Sequence, residues 1–123
     1  MRTVLGVAFA GALGALARYG VGDLISRRFP GFPWGTLVIN VTGSFALGAL
    51  FVILTERTQA SPALRSTLMI GFLGAYTTFS TFSLETVRLL EDGSTLAAGL
   101  NVLSNVGLGL CAAWLGITVG KVV

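Results

Sequence analysis

Long stretches without a single charge set the terms on which this chain can fold. Phe29 to Thr55, Ser66 to Leu84 and Gly93 to Gly120 contain no Asp, Glu, Lys or Arg. Each is long enough to cross a bilayer core as a helix, which takes about 20 residues. A fourth apolar run, Thr3 to Ala17, is interrupted by Arg18 and resumes at Tyr19 to Gly22. With 54% of its residues apolar and 11% charged, the chain lacks the polar surface that a water-soluble domain of this length requires. The expectation is an all-α integral membrane protein forming a single domain, residues 1–123. Its four transmembrane helices fall at approximately 3–24, 34–55, 64–89 and 95–119.

Several function classes drop out at once. The chain has no His and a single Cys, Cys111, so an intrachain disulfide is impossible and a zinc or haem site has no ligand set. The formal charge of +3 is small and scattered along the chain, without the clustering that nucleic-acid binding demands. Arg2 followed by an Ala- and Gly-rich run resembles a cleavable signal. The internal Arg18, and the three bare helices that cleavage would leave, favour a retained span instead.

Turn-rich segments join the spans: Arg27 to Pro33, Thr58 to Pro62 and Glu91 to Ser94. Ser61 and Ser94 read as helix N-caps, and Trp34 sits where interfacial aromatics usually lie. Counted by side, the N-terminal face collects Arg2, Arg57, Arg65 and Lys121, while the other collects Arg27, Arg28 and Arg88. Four against three gives the positive-inside rule nothing to act on. The simplest reading is insertion in both orientations and assembly as an antiparallel, dual-topology homodimer.

Small residues repeat every four positions at Gly6, Ala10 and Gly14, and again along Thr36, Asn40, Ser44 and Gly48. That spacing lets helix backbones approach in lipid, where close packing is the main attraction available. Polar residues inside the spans ask for a further reason. Arg18 costs about 3 kcal/mol if it lies centrally, and is one turn from a span end, within snorkelling reach. Asn40 has Thr36 and Ser44 on its own face. In the last span Asn101, Asn105 and Gly109 share a face, with Ser104 adjacent. Two asparagine stripes either glue helices together or supply amide donors to an anion without a fixed charge to trap it.

The third span is the most informative. Gly71 and Gly74 are followed by five hydroxyl residues in the seven positions Thr77 to Ser83. Such hydroxyls compete for the backbone and make an unbroken helix poor, so a break near mid-membrane is expected. Non-helical backbone at that depth survives only when buried in protein or lining a cavity, and its freed carbonyls commonly coordinate cations. Phe79 and Phe82 are three apart and share a face once helix resumes. Their positive ring edges can meet a small anion, or they can simply pack.

Three segments, Gly11 to Tyr19, Gly35 to Phe45 and Gly71 to Ser83, together resemble the small fluoride channels called Fluc or CrcB, and the likeness covers essentially the whole chain. That resemblance implies a multi-pass protein of the cell's inner (plasma) membrane that passively exports fluoride and so protects against its toxicity. It implies a dual-topology homodimer with two antiparallel pores and a structural sodium ion on the two-fold axis. By position, Gly74 and Thr77 would offer backbone carbonyls to sodium. Asn40, Phe79 and Phe82 would line the pores, with hydroxyl donors from Ser80 and Thr81. Arg18 would attract anions at a vestibule, and Glu85 would lie near a polar track. Asn101 and Asn105 stand where many relatives have a tyrosine and a serine, and would line the exit.

Readings from other classes make different demands. A proton-coupled small multidrug transporter, also short and four-helical, needs a membrane-embedded carboxylate, and the first span has none before Asp23. A purely structural subunit has no use for a broken helix. An enzyme would need a nucleophile, a base and an orienting group that converge, and no such set is present.

Overall fold

The computed structural model describes Met1–Val123. The chain is helical throughout, in the order α1 (Arg2–Arg28), α2 (Trp34–Val52), α3 (Pro62–Arg65), α4 (Gly74–Tyr76), α5 (Phe79–Glu91) and α6 (Thr95–Val122). Two wider π segments interrupt the α geometry, Ile53–Arg57 at the end of α2 and Ser66–Leu73 between α3 and α4. Three helices are long and apolar enough to cross a membrane: Arg2–Arg28, Trp34–Arg57 and Thr95–Val122. The stretch from Pro62 to Glu91 is divided. Thr77 (φ −78°, ψ 156°) and Thr78 (φ −148°, ψ 117°) are extended, so the expected break is present.

Its position differs from the expectation in one respect. The glycines do not unwind the helix, since Gly74 itself is helical (φ −63°, ψ −35°). Gly71 serves packing instead: a Cβ there would lie 2.9 Å from the Val7 carbonyl oxygen of α1. Gly14 is pressed against the Phe72 carbonyl, and Gly6 against the Thr67 hydroxyl. The four-residue repeat on α1 is therefore the seam with the Ser66–Leu73 segment, its main partner. The second close seam joins α2 to α6, where Gly48 faces the Ala113 carbonyl and Gly116 faces the Phe45 carbonyl. Both follow the rule that small residues draw helices together in lipid.

Of the two expected N-caps, Ser61 accepts a hydrogen bond from the Leu64 N–H (3.2 Å). Ser94 makes no capping bond, and that helix start is held by backbone alone, through Ala98 N–H to Ser94 O (3.0 Å). Only 20 of 123 residues are buried within the protomer. The apolar surface that remains faces outward, as a bilayer requires.

Candidate functional site

The break at Thr77 and Thr78 is held open by a side chain from α2. The Thr78 N–H donates to Asn40 Oδ1 (2.9 Å), and Asn40 Nδ2 donates back to the Thr78 carbonyl (3.1 Å). One amide thus satisfies both backbone groups of the residue that has left the helix, groups that would otherwise be costly at this depth. Room for this arrangement comes from Gly43, where a Cβ would collide with the Thr77 methyl. Thr78 also starts the next helix: its Oγ1 accepts from the Thr81 N–H (3.2 Å) and donates to Thr81 Oγ1 (3.0 Å).

The two sides of the break have opposite polarity. On the α4 side, none of the loop or cap hydrogen bonds ends on a carbonyl of Gly74, Ala75, Tyr76 or Thr77. Thr77 itself closes the preceding turn, its N–H and hydroxyl both donating to the Leu73 carbonyl (3.0 Å each). On the other side, α5 begins with its amide end and the hydroxyls of Ser80 and Thr81. A helix start carries partial positive charge and a helix end partial negative charge. The break therefore sets a carbonyl pole against an amide pole.

Two cavities meet at Thr78. One, of about 250 Å³, is lined by Asn40, Ser44, Thr78, Phe79, Phe82 and Asn105 among others. The second, of about 390 Å³, includes Arg18, Ser26, Thr36, Thr78, Thr81 and Glu85. Glu85 also borders a smaller cavity of about 220 Å³ with Arg88 and Asp92. Open space with polar side chains at its margins thus follows α5 along its length. The Phe79 and Phe82 rings lie 5.6 Å apart, tilted by 54°. Phe82 is buried while Phe79 is 78% exposed on the protomer surface.

Most of the expected site residues converge on this strip. Arg18 lines the second cavity and takes part in no ion pair, the only one being Arg27 with Asp23 (2.9 Å). Glu85 accepts from the Thr36 hydroxyl through Oε1 (2.8 Å), and its Oε2 is buried without a partner. Asn105 borders the first cavity. Asn101 borders neither cavity: it is fully buried, and its Nδ2 donates to Thr86 Oγ1 (2.9 Å). The sequence assigned no role to Thr78 or Thr86, and gave Thr36 only its place on the Asn40 face. Thr78 was visible only as an N-cap candidate, and only once the helix start was placed at Phe79.

Comparison with known proteins adds an independent line. The family model described as CrcB-like protein, Camphor Resistance (CrcB), matches residues 5–117. The fluoride-specific ion channel FluC of Magnetococcus marinus is 48% identical over 118 residues, spanning 95% of this chain and 96% of the relative. That of Geobacter sulfurreducens is 48% identical over 125 residues, spanning 98% of each. A third, from Nitratidesulfovibrio vulgaris, is 44% identical over 124 residues and the full length of both chains.

Proposed function

Because the chain belongs to the CrcB-like family, we propose that it is a fluoride-specific ion channel, passing the anion passively out of the cytoplasm across the inner membrane. The observation that carries this reading is the polarity of the break, with an amide pole and hydroxyls facing a run of cavities beside two phenylalanines. Fluoride is small and strongly hydrated, so a path must replace lost water with donors. Ser80 and Thr81 supply hydroxyls at the start of α5, and the Phe79 and Phe82 ring edges add partial positive charge. Arg18, which forms no ion pair, gathers anions at the wider cavity. Glu85, held by Thr36, borders the onward path.

The chain acts as four spans, with the broken stretch from Pro62 to Glu91 as the third, in an antiparallel homodimer. Phe79, exposed on a single protomer, becomes pore wall when a second copy closes over it. The unused carbonyls from Gly74 to Thr77 suit a hard cation such as sodium, which binds oxygen donors. Held by these carbonyls, sodium would supply positive charge where the helix end carries partial negative charge. Purified protein is expected to melt higher in sodium salts than in choline salts at equal ionic strength. Identical melting curves would remove sodium from the design.

The direct test of function is ion release from liposomes holding only this protein, with a potassium ionophore balancing charge. Fluoride should leave while trapped chloride stays; equal release of both would defeat the reading. The multidrug-transporter alternative finds no embedded carboxylate in the first span, where Asp23 lies near the end of α1, paired with Arg27, and the Glu85 carboxylate on α5 is engaged by the Thr36 hydroxyl. Nothing here performs covalent chemistry, and the protein is a channel rather than an enzyme.

A further inference from the structure

Asn40 is one end of a longer chain of hydrogen bonds. Its Nδ2 donates to Asn105 Oδ1 (3.0 Å). Asn105 Nδ2 donates to the Asn101 carbonyl and to Asn101 Oδ1, both at 3.0 Å. Asn101 Nδ2 donates to Thr86 Oγ1 (2.9 Å), and the Thr86 hydroxyl donates to the Phe82 carbonyl (2.8 Å). The direction of every link is forced. Thr78 N–H can only donate and Thr78 O can only accept, which fixes the Asn40 amide. At the other end, the single hydroxyl proton of Thr86 is committed to the Phe82 carbonyl, so Thr86 must accept from Asn101. The backbone of the break and the backbone of α5 thus anchor the two ends of one relay.

We infer that Asn105, Asn101 and Thr86 are positioning residues for the pore, holding the Asn40 amide in the one orientation that keeps the break at Thr78 open. The inference rests on the channel reading for its functional meaning, though not for its geometry. It assigns Asn40 a role other than direct anion donor: both its N–H groups are committed, to Thr78 and to Asn105. The donors left for an anion are those that the open break presents, at Ser80, Thr81 and the start of α5. Thr86 is the sharpest probe because it borders neither main cavity. Its hydroxyl reaches the pore through the relay or through the Phe82 carbonyl, and exchange at Thr78 to Thr81 reads the relay alone.

The test compares Thr86→Val, which keeps the shape and removes the hydroxyl, with Thr86→Ser, which restores it. Asn101 then has an amide hydrogen without a buried partner, and the relay loses its far anchor. Fluoride release per correctly folded protein should fall at least about tenfold in Thr86→Val and stay within about twofold of wild type in Thr86→Ser. Amide hydrogen exchange across Thr78 to Thr81 should quicken in the valine variant and recover in the serine variant. A valine variant with wild-type flux and unchanged exchange would overturn the inference, as would a serine variant as impaired as valine. If the wild type conducts no fluoride, the channel reading fails by itself, and the exchange measurement still decides whether the relay holds the break.

Discussion

Liposomes carrying Asn40→Asp are expected to release fluoride at least about 100-fold more slowly than wild type, the scale set by a charge near mid-membrane costing about 3 kcal/mol. The geometry makes the effect twofold in kind. A carboxylate would turn an acceptor oxygen toward the Thr78 carbonyl and Asn105 Oδ1, which now accept from Nδ2 at 3.1 and 3.0 Å. Three oxygens would then face one another without a proton among them, and the break would lose its clamp. The same variant would place negative charge beside the cavity shared by Phe79 and Phe82. Lower thermal stability should accompany the lost flux, so release must be measured per folded protein. Phe82→Ile separates the two causes: it removes a ring edge without touching the clamp, and should slow fluoride by roughly tenfold. Full fluoride flux in both variants would show that the path lies elsewhere.

The second large effect concerns orientation. Two variants biased in opposite directions should each be inactive alone and active when produced together. Gln59→Lys with Ala60→Lys loads the N-terminal side. Phe29→Lys with Ser94→Lys loads the other, and Ser94 is a suitable site because it makes no capping bond. With Arg2→Gln and Arg65→Gln added to the second variant, the native count of four against three would become six against three in one variant and two against five in the other, enough for the positive-inside rule to act. A reporter at Val123 should show both orientations for wild type and one for each variant. Fluoride release should drop on the order of tenfold or more in each single variant and return on co-expression. Unimpaired flux from a variant confined to one orientation would remove the antiparallel dimer from the proposal.

The sequence carried more of the architecture than of the site. Uncharged windows coincide with the long apolar helices Trp34–Arg57 and Thr95–Val122, because the bilayer penalises charge directly, residue by residue, with little dependence on partners. The small-residue repeat of α1 was legible for the same local reason, and Gly6 and Gly14 do sit at a helix seam. The break was legible as a region but not as a residue: hydroxyl-rich composition marks weak helix, whereas the place of rupture is decided by Asn40, 38 positions away. Asn101 and Asn105 were seen to share a face, since that follows from helical spacing. Their bonding was not, because a helix face says nothing of what the neighbouring helix presents, and here it presents Thr86 and Asn40. The π segments left no recognisable trace in the residue pattern.

The relay also constrains how such a chain can drift. Each member gives to one neighbour and takes from another, so a single replacement leaves two groups stranded rather than one. Exchanging Asn101 for a bulkier residue, or Asn105 for a shorter one, breaks contact with partners on both sides. Viable changes at these positions should therefore arrive in pairs, with a substitution at 101 matched by one at 86 or 105. Variant libraries randomised at single relay positions should yield few functional members, while libraries randomised jointly at 86, 101 and 105 should yield many. In a protein whose helix seams are otherwise built mainly of small and apolar residues, this thread of amides and hydroxyls is where substitutions should be linked rather than independent.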